Sequence, residues 1–476
     1  MQSVYICLHI LTGRFLWCII SMLIYIRKGF LFMKLFKLIL CMLLLCLCLA
    51  ACGQGGDNGD GTTLADDASD VTTTEAITTA PEPAVMIDIV ADGKSDYVVA
   101  RSEDVNGSEQ QLFVKFYQEL CKRTGVDFKY TELLNRAEID TSAKEILLGN
   151  TNRAESVELL DKLNAAGGNR FGILLKGNKL AIAGTSTYQT YLGLDYLMTN
   201  FLTGDEGSAS LAIEEDFEYI SESSENSGFD IDSLIESGKG IAFVMKEALF
   251  KVPSAGGYAV MQGGCTDGRY AYIGMLNKTK SPELAKIYKY DLETMKVVKV
   301  SDALDTSHTN DIAYDSKNHR LAISRCTGDE NWCGISFVDP DTLELIENIR
   351  ITVGHRAIEY LPSTNEYLLA ANWSITRTDE NFNVISSFNC SDPQYTSQGC
   401  YSDEKYVYDV RYVSGSNSLH YIVIHKLDGT YIGTVPVYGL ANLEPEHMFR
   451  YNGRYMMGCY KSNTVYEMEL VPENWW

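Results

Sequence analysis

Apolar side chains change their spacing along this chain, and the change divides it. Over about Ser108–Arg123, Leu112, Phe113, Phe116, Tyr117 and Leu120 recur at i, i+1, i+4, i+5 and i+8, one face of a helix that Gly125 ends. Ser95–Ala100 reads as a strand before it. Lys144–Gly149 is a short buried strand, and Ala154–Ala165 a helix. Phe171–Leu175 and Leu180–Ala183 form a hairpin about Gly177-Asn178, and a last helix covers Thr187–Phe201. The order β-α-β-α-β-β-α over residues 86–219 predicts an α+β unit with helices on one sheet.

Residues 220–240 read as a linker. From 241 to 476 the helical period disappears, and Tyr-rich strands alternate with D-G, K-N, T-N and N-G turns. Five related segments recur about 40–50 residues apart, the period of propeller blades. Second strands align at Tyr270, Leu321, Tyr367, Tyr406 and Tyr455, and third strands at 287–291, 335–339, 374–379, 420–427 and 465–470. The last segment has only three strands. Ile241–Val244 or Leu249–Val252 is expected to complete it and close an all-β, five-bladed propeller.

Before residue 86 the composition sets the reading. Residues 1–51 hold five basic residues (Arg14, Arg27, Lys28, Lys34 and Lys37) and no acid, which marks a signal to be set aside before fold reasoning. Met33 opens a complete signal by itself: Lys34 and Lys37, an apolar run Leu38–Leu49, then Leu49-Ala50-Ala51-Cys52. That tetrapeptide resembles the lipobox of bacterial lipoproteins. The resemblance implies lipid on Cys52, a mature chain starting there, and an extracytoplasmic protein held at the cell membrane. The alternative, a membrane-spanning helix ending in Cys, fits less well, because the run is short and a polar, Gly-rich tail follows. Residues 52–85, rich in Gly, Asp, Thr and Ala, cannot bury enough apolar surface to order themselves and read as a tether.

Charge and cysteine content narrow the partners. Removing five positive charges takes the formal balance from −23 to −28, which disfavours nucleic acid. A monomer is expected. Seven cysteines follow Cys52, an odd number, and none forms Cys-x-x-Cys. Cys326 and Cys333 flank a loop and fit either a disulfide or two thiols, while Cys265 and Cys400 read as core residues. Trp332 and Trp373 read as loop residues, and Trp475-Trp476 as the seal of the last blade.

E-I-L-L-G-N-T-N-R (Glu145–Arg153) with F-G-I-L-L-K-G-N-K-L-A-I-A-G (Phe171–Gly184) resembles the N-terminal accessory domain of α-glucuronidases and, more distantly, the second domain of β-hexosaminidases. The resemblance implies a non-catalytic domain. No catalytic (β/α)8 barrel follows here, so no activity carries over. The later segments resemble quinoprotein-like and lactonase-like propellers at the level of single blades.

Candidate chemistry lies where the innermost strands begin. Aligned on the turns that follow, they place Gln262, Asn310, Arg356, Gln398 and Glu446 at one level, one long polar residue per blade, with His355 beside them. A ligand-binding funnel and a water-filled channel both fit that pattern. His308, His355 and His447 fall near the same openings, but no spacing motif supports a metal, and no cofactor is expected. Asp311 and Glu446, with His308 or His447 as a general base, are the only catalytic candidates. The leading expectation is therefore a lipid-anchored surface protein that binds a carbohydrate or other polar ligand without catalysis. A glycan hydrolase or lyase and an envelope interaction scaffold are the alternatives.

Overall fold

The computed structural model describes residues 84–105, 107–136, 138–325, 334–392, 394–415 and 419–476. The signal, Cys52, the tether up to residue 83, and Cys326, Trp332 and Cys333 lie outside the described residues. Among the described residues no helix is long and apolar enough to cross a membrane.

The first part builds two sheets. β1 (Met86–Val90), β8 (Ser210–Glu214) and β7 (Leu202–Thr203) form a three-stranded antiparallel sheet. The larger sheet runs β3 (Lys129–Leu133), β2 (Val98–Ser102), β4 (Glu145–Leu148), β6 (Lys179–Gly184), β5 (Phe171–Lys176), β9 (Glu218–Ile220). Its first four members are parallel, β5 runs against them, and β9 pairs antiparallel with β5. Helices α1 (Gly107–Thr124), α2 (Ala154–Ala166) and α3 (Thr187–Asn200) fall close to their predicted limits. They do not share one face of the sheet. Leu112, Phe113 and Phe116 of α1 and Leu194 and Leu197 of α3 pack with Ile146, Leu148, Ile173 and Leu175. Leu159 and Leu163 of α2 pack with Leu147, Leu174 and Ala181 on the other side. A strand buried on both faces shows a continuous apolar run rather than alternation, and for that reason E-I-L-L carries no facing information.

The motif at 145–153 has a local cause. Glu145, at the start of β4, receives a two-pronged contact from Arg153 at 2.9 Å through each oxygen, and Lys179 stands 3.0 Å away. All three are buried. The two basic groups hold the Glu145 carboxyl low despite its burial, which alone pushes it up. Gly149 bends at φ +68°, and a Cβ there would stand 2.8 Å from the Phe113 ring.

The expected linker is not a bare connection. Ile231–Ser237 forms α4, capped by Asp230, whose side chain accepts from Ser233 N, and ended by Gly238 at φ +67°. Asp232 pairs with Lys405 and accepts from the Tyr406 hydroxyl. An N-cap Asp and a C-terminal Gly are helix signals, but seven residues are too few for the apolar period to stand out.

From residue 241 the chain is almost entirely antiparallel strand. β11–β14 (Val260–Thr266, Tyr270–Asn277, Leu284–Asp291, Lys296–Val300) form one four-stranded sheet. β15–β18 (Asp311–Asp315, Arg320–Ser324, Gly334–Val338, Leu345–Arg350) form a second. β19–β22 (Ala357–Leu361, Glu366–Ala370, Ser374–Thr378, Val384–Asn389) form a third. β23–β26 (Thr396–Ser402, Tyr406–Tyr412, His420–Lys426, Tyr431–Tyr438) make a fourth array. β27–β29 (Glu444–Tyr451, Arg454–Tyr460, Thr464–Pro472) take β10 (Ile241–Lys251) as their outer strand, antiparallel to β29. β10 covers both stretches expected to complete the last segment. A short parallel ladder, Phe243 to Val437 and Val244 to Tyr438, then joins the last two arrays into one eight-stranded sheet. The first strands touch in the cyclic order β11, β15, β19, β23, β27 and back to β11, so they surround an axis.

The closing tryptophans do not seal the last array. Trp475 is buried against Tyr191 and Phe229, with ring centroids at 5.6 and 5.4 Å, and the Trp476 indole donates to Asp195. Both belong to the core of the first part, which also takes in Ala242, Val244 and Val471. Across the same junction Ser108 donates to Glu469 of β29. Residues 82–476 accordingly form one compact unit.

Candidate functional site

The five innermost strands have two ends, and they differ. The end where these strands begin is the upper rim, and the end where they finish is the lower rim.

Gln262, Asn310, Arg356, Gln398 and Glu446 all stand at the upper rim, for a reason visible in the backbone. Pairing of β11 with β12 slips between Met261 and Gly264, that of β23 with β24 between Ser397 and Gly399, and that of β27 with β28 between Pro445 and His447. Gln262, Gln398 and Glu446 are thus bulge residues, whose side chains are turned out of the ladder. Asn310 and Arg356 immediately precede β15 and β19, which have no bulge. Contacts join the positions around the axis. The Asn310 side-chain N–H groups donate to Arg356 O at 2.8 Å and Gln398 O at 3.2 Å, and Gln398 Nε2 donates to Glu444 at 3.0 Å. A side chain from β15 therefore reaches the backbone of β23, two strands away, and the opening is narrow.

Directly below, the backbones meet. A Cβ on Gly263 would lie 2.2 Å from Asp311 Cα, and one on Gly399 2.6 Å from Glu446 O. Close approach through glycine plugs the axis at this level. Asp311 is the centre of the plug. Its Oδ1 accepts from Ile312 N at 3.0 Å, and its Oδ2 from Ile358 N at 3.1 Å and Cys400 N at 2.9 Å. One carboxyl thus ties three arrays together. Burial pushes its pKa up, against the opposing pull of those three N–H donors.

Of the catalytic candidates, Asp311, Glu446 and His447 are buried and His308 is paired. Asp311 is 1% exposed, and both its oxygens are taken up by backbone donors. His308 lies outside the ring and pairs through Nδ1 with Glu283 at 2.8 Å. His447 is wholly buried between Gly264 and Gly458; its Nδ1 donates to Gln262 O at 2.6 Å, and burial lowers its pKa to about 4. His355 is buried too, with Nδ1 donating to Val353 O and its pKa lowered by burial. Alternation along the inner strands did not reveal this inward packing, because bulges shift which side chains face the axis. Glu446 is 2% exposed, and its Oε1, like Nε2 of His355 and of His447, has no hydrogen-bond partner; burial, with nearby Glu444, pushes its carboxyl well up. Among the described residues no three His, Cys, Asp or Glu side chains gather as metal ligands.

The lower rim opens into a cavity of about 450 Å³ that every inner strand helps to line, Glu359, Tyr314 and Tyr401 among its walls. Glu359 was not anticipated. Its Oε1 accepts from Tyr360 N at 2.7 Å, and burial raises its pKa to about 8. Two further acids of the same mouth are fully engaged. Asp267 accepts from Arg269 N, Tyr270 N and the Tyr272 hydroxyl, and Asp403 from Lys405 N, Tyr406 N and the Tyr408 hydroxyl. The signal for this device was a repeated T/S-D-x-x-Y-x-Y, read only as a turn. Of the loop tryptophans, Trp373 is 69% exposed. Cys265 and Cys400 are buried free thiols, as are Cys390 and Cys459; Cys121 is free and partly exposed.

No family model and no curated protein matches this chain. Among solved structures it is similar to the glutaminyl cyclase of Myxococcus xanthus, at 12% identity over 48% of this chain and 97% of that one, with a TM-score of 0.35. It is similar to the Pan2 WD40 domain of Neurospora crassa at 7% identity, over 47% and 94% of the two chains, with a TM-score of 0.30. An exo-β-1,3-galactanase of Phanerochaete chrysosporium matches at 11% identity, over 48% and 64%, with a TM-score of 0.35. At this distance the chain is placed no more finely than as a mostly β, propeller-like protein.

Proposed function

We propose that the five arrays are the blades of a five-bladed propeller to which residues 86–219 attach as an accessory α+β domain. In this reading lipid on Cys52 holds the protein at the outer side of a bacterial membrane, and the upper rim binds a polar small molecule, carbohydrates included, without covalent chemistry. One observation carries the binding role: Glu446 keeps a buried carboxyl oxygen without a donor amid four other polar side chains. Native folds rarely leave such a group unsatisfied, and a ligand is one thing that satisfies it. Binding is favoured over hydrolysis because glycoside hydrolysis needs two available carboxyl groups. At the upper rim Asp311 is committed to the backbone, and Glu444, the carboxyl beside Glu446, accepts from Gln398. The acidic balance of the chain makes nucleic acid an unsuitable ligand.

A glycan and metabolite screen of the full-length protein by thermal shift, run beside an Asn310→Ala, Arg356→Ala double variant, tests the site. Ligands of the upper rim shift the wild-type melting temperature and leave the variant unmoved. Unchanged shifts in the variant would overturn the upper-rim reading. Radiolabelled palmitate incorporation that Cys52→Ala abolishes tests the anchor separately.

A further inference from the structure

The unmet valences of the upper rim have a pattern. Gln262 spends its amide N–H on Met261 O, Asn310 on two backbone carbonyls and Gln398 on Glu444. No described residue donates to the amide oxygens of these three side chains. With the unpartnered Oε1 of Glu446, what remains at this end is a set of acceptors. The complement is a group with several N–H donors and no acceptor, which describes a primary ammonium. Arg356 presents the opposite need. Its half-buried guanidinium has neither an ion pair nor a hydrogen bond among the described residues. A planar fork of five donors matches a carboxylate.

Both needs arise at the same rim of the ring. Arg356 precedes β19 and Glu446 lies on β27, with only β23 between them in the ring. Hydrogen bonds link this level of the ring: the Asn310 amide donates to the backbone carbonyls of Arg356 and Gln398, and the Gln398 amide donates to Glu444, two residues before Glu446. Ordered water can satisfy buried acceptors, but it does not account for the unpaired cation at the same rim.

We infer that the upper rim binds a small zwitterion of the α-amino acid type, with its ammonium against Glu446 and the amide oxygens of Gln262, Asn310 and Gln398, and its carboxylate on Arg356. This rests on the upper-rim reading above and narrows its ligand. Only the ammonium has to enter the narrow opening; the carboxylate and the side chain stay at the partly exposed mouth.

Isothermal titration of the full-length protein with each common α-amino acid singly, then with the amide and the N-acetyl form of the tightest one, and with glucose, tests it. One amino acid binds, and its amide and N-acetyl forms each bind at least about tenfold more weakly, since each lacks one charge-assisted contact. Glu446→Gln, which keeps the shape but replaces the carboxyl that the ammonium would hold ionised, weakens the amino acid about tenfold or more. Arg356→Gln makes the amino acid and its amide equal in affinity. Circular dichroism reports on folding, and the Arg356 variant, at a partly exposed and unpaired position, remains decisive if the Glu446 variant misfolds. Absence of any amino-acid binding at about 10 mM, a weaker interaction than the few kcal/mol of millimolar affinity, overturns the inference. So does an N-acetyl form that binds as well as its parent. Glucose binding that the Asn310→Ala, Arg356→Ala double variant loses, with no amino acid bound, overturns the zwitterion while leaving the polar-ligand reading. Amino-acid binding unchanged in that double variant overturns both.

Discussion

The two ends of the axis are made from the same five strands, yet they handle polarity in opposite ways. At the lower rim there is room, about 450 Å³, and nearly every acid is paired: Asp267 and Asp403 each hold two backbone N–H groups and a tyrosine hydroxyl. At the upper rim Glu446 Oε1 has no hydrogen-bond partner, and the Arg356 guanidinium has no polar partner among the described residues. The difference comes from the strand ends. Inner strands finish in hairpin turns, whose Asp side chains fold back on the turn itself. They begin at bulges or just outside the ladder, where the side chain is aimed at the axis and has no turn to satisfy. Between the two rims the lower one has the described cavity, whereas unmet valence points to the upper one. Between them stands the Asp311 plug.

Removing the plug gives the largest effect. Asp311→Ala strands three buried N–H groups belonging to three arrays. A loss of about 3–5 kcal/mol is expected, at roughly 1–3 kcal/mol for each unsatisfied buried group with partial relaxation. Asp311→Asn retains one oxygen acceptor and costs less. Urea denaturation measures both, and a loss below about 1 kcal/mol for Ala would show that the two ends do not depend on this carboxyl.

The lower rim's self-pairing gives the next effect. Tyr272→Phe and Tyr408→Phe each delete one hydroxyl-to-carboxylate bond of 2.8 Å. Each should cost about 1.5–3 kcal/mol, the range for hydrogen bonds to charged groups. Because the two sites belong to the first and fourth arrays, the double variant should lose the sum. Markedly unequal costs in the same denaturation assay would break the equivalence that the repeated T/S-D-x-x-Y-x-Y implies.

Both the repeat and the plug show what a single sequence conveys. Strand positions were legible because a period near 40–50 residues and recurrent turns mark them without reference to partners. Tyr270, Leu321, Tyr367, Tyr406 and Tyr455 do fall at the starts of second strands. The level shared by Gln262, Asn310, Arg356, Gln398 and Glu446 was legible for the same reason. What they do there was not, since bulges move a side chain without changing composition. Asp311 looked like a candidate base because a carboxyl beside an opening is identical in sequence whether it faces a ligand or three backbone N–H groups. Trp475 and Trp476 were assigned to the nearest array, whereas their partners Tyr191, Phe229 and Asp195 lie more than two hundred residues away. β1, β3 and β8 were not anticipated.

Acid dependence separates the rims further. Glu359 holds its proton up to about pH 8 in the folded protein, against an ordinary value of 4.5. Between those values the folded state binds more protons than the unfolded one, so stability contributed by this residue is full below about pH 4.5 and falls as pH rises through 8. Glu359→Gln removes the ionisation. The variant should match the wild type in melting temperature near pH 4.5 and exceed it at pH 8, by an amount moderated by the residue's partial exposure. Equal slopes of melting temperature with pH in the two proteins would mean that the lower-rim carboxyl is ionised throughout.

The smallest stability effect is the sharpest separator of the two ends. Arg356 contributes its backbone to the ring, with its N–H donating to Ala370 O and its carbonyl accepting from Asn310 and Ser324. Its guanidinium contributes nothing to the fold by way of polar contacts. Arg356→Gln should therefore change unfolding free energy by no more than about 0.5 kcal/mol, as for a surface substitution away from any partner. The matching change at the lower rim behaves otherwise: in the tyrosine variants a polar group that serves the fold is lost, and stability falls. A stability-neutral Arg356→Gln that also loses ligand shifts would mark the guanidinium as a group kept for binding. If Arg356→Gln instead destabilises the protein by 1 kcal/mol or more on the scale of a lost hydrogen bond, about what a structural contact is worth, the upper rim is as self-satisfied as the lower one, and the contrast between the two ends fails.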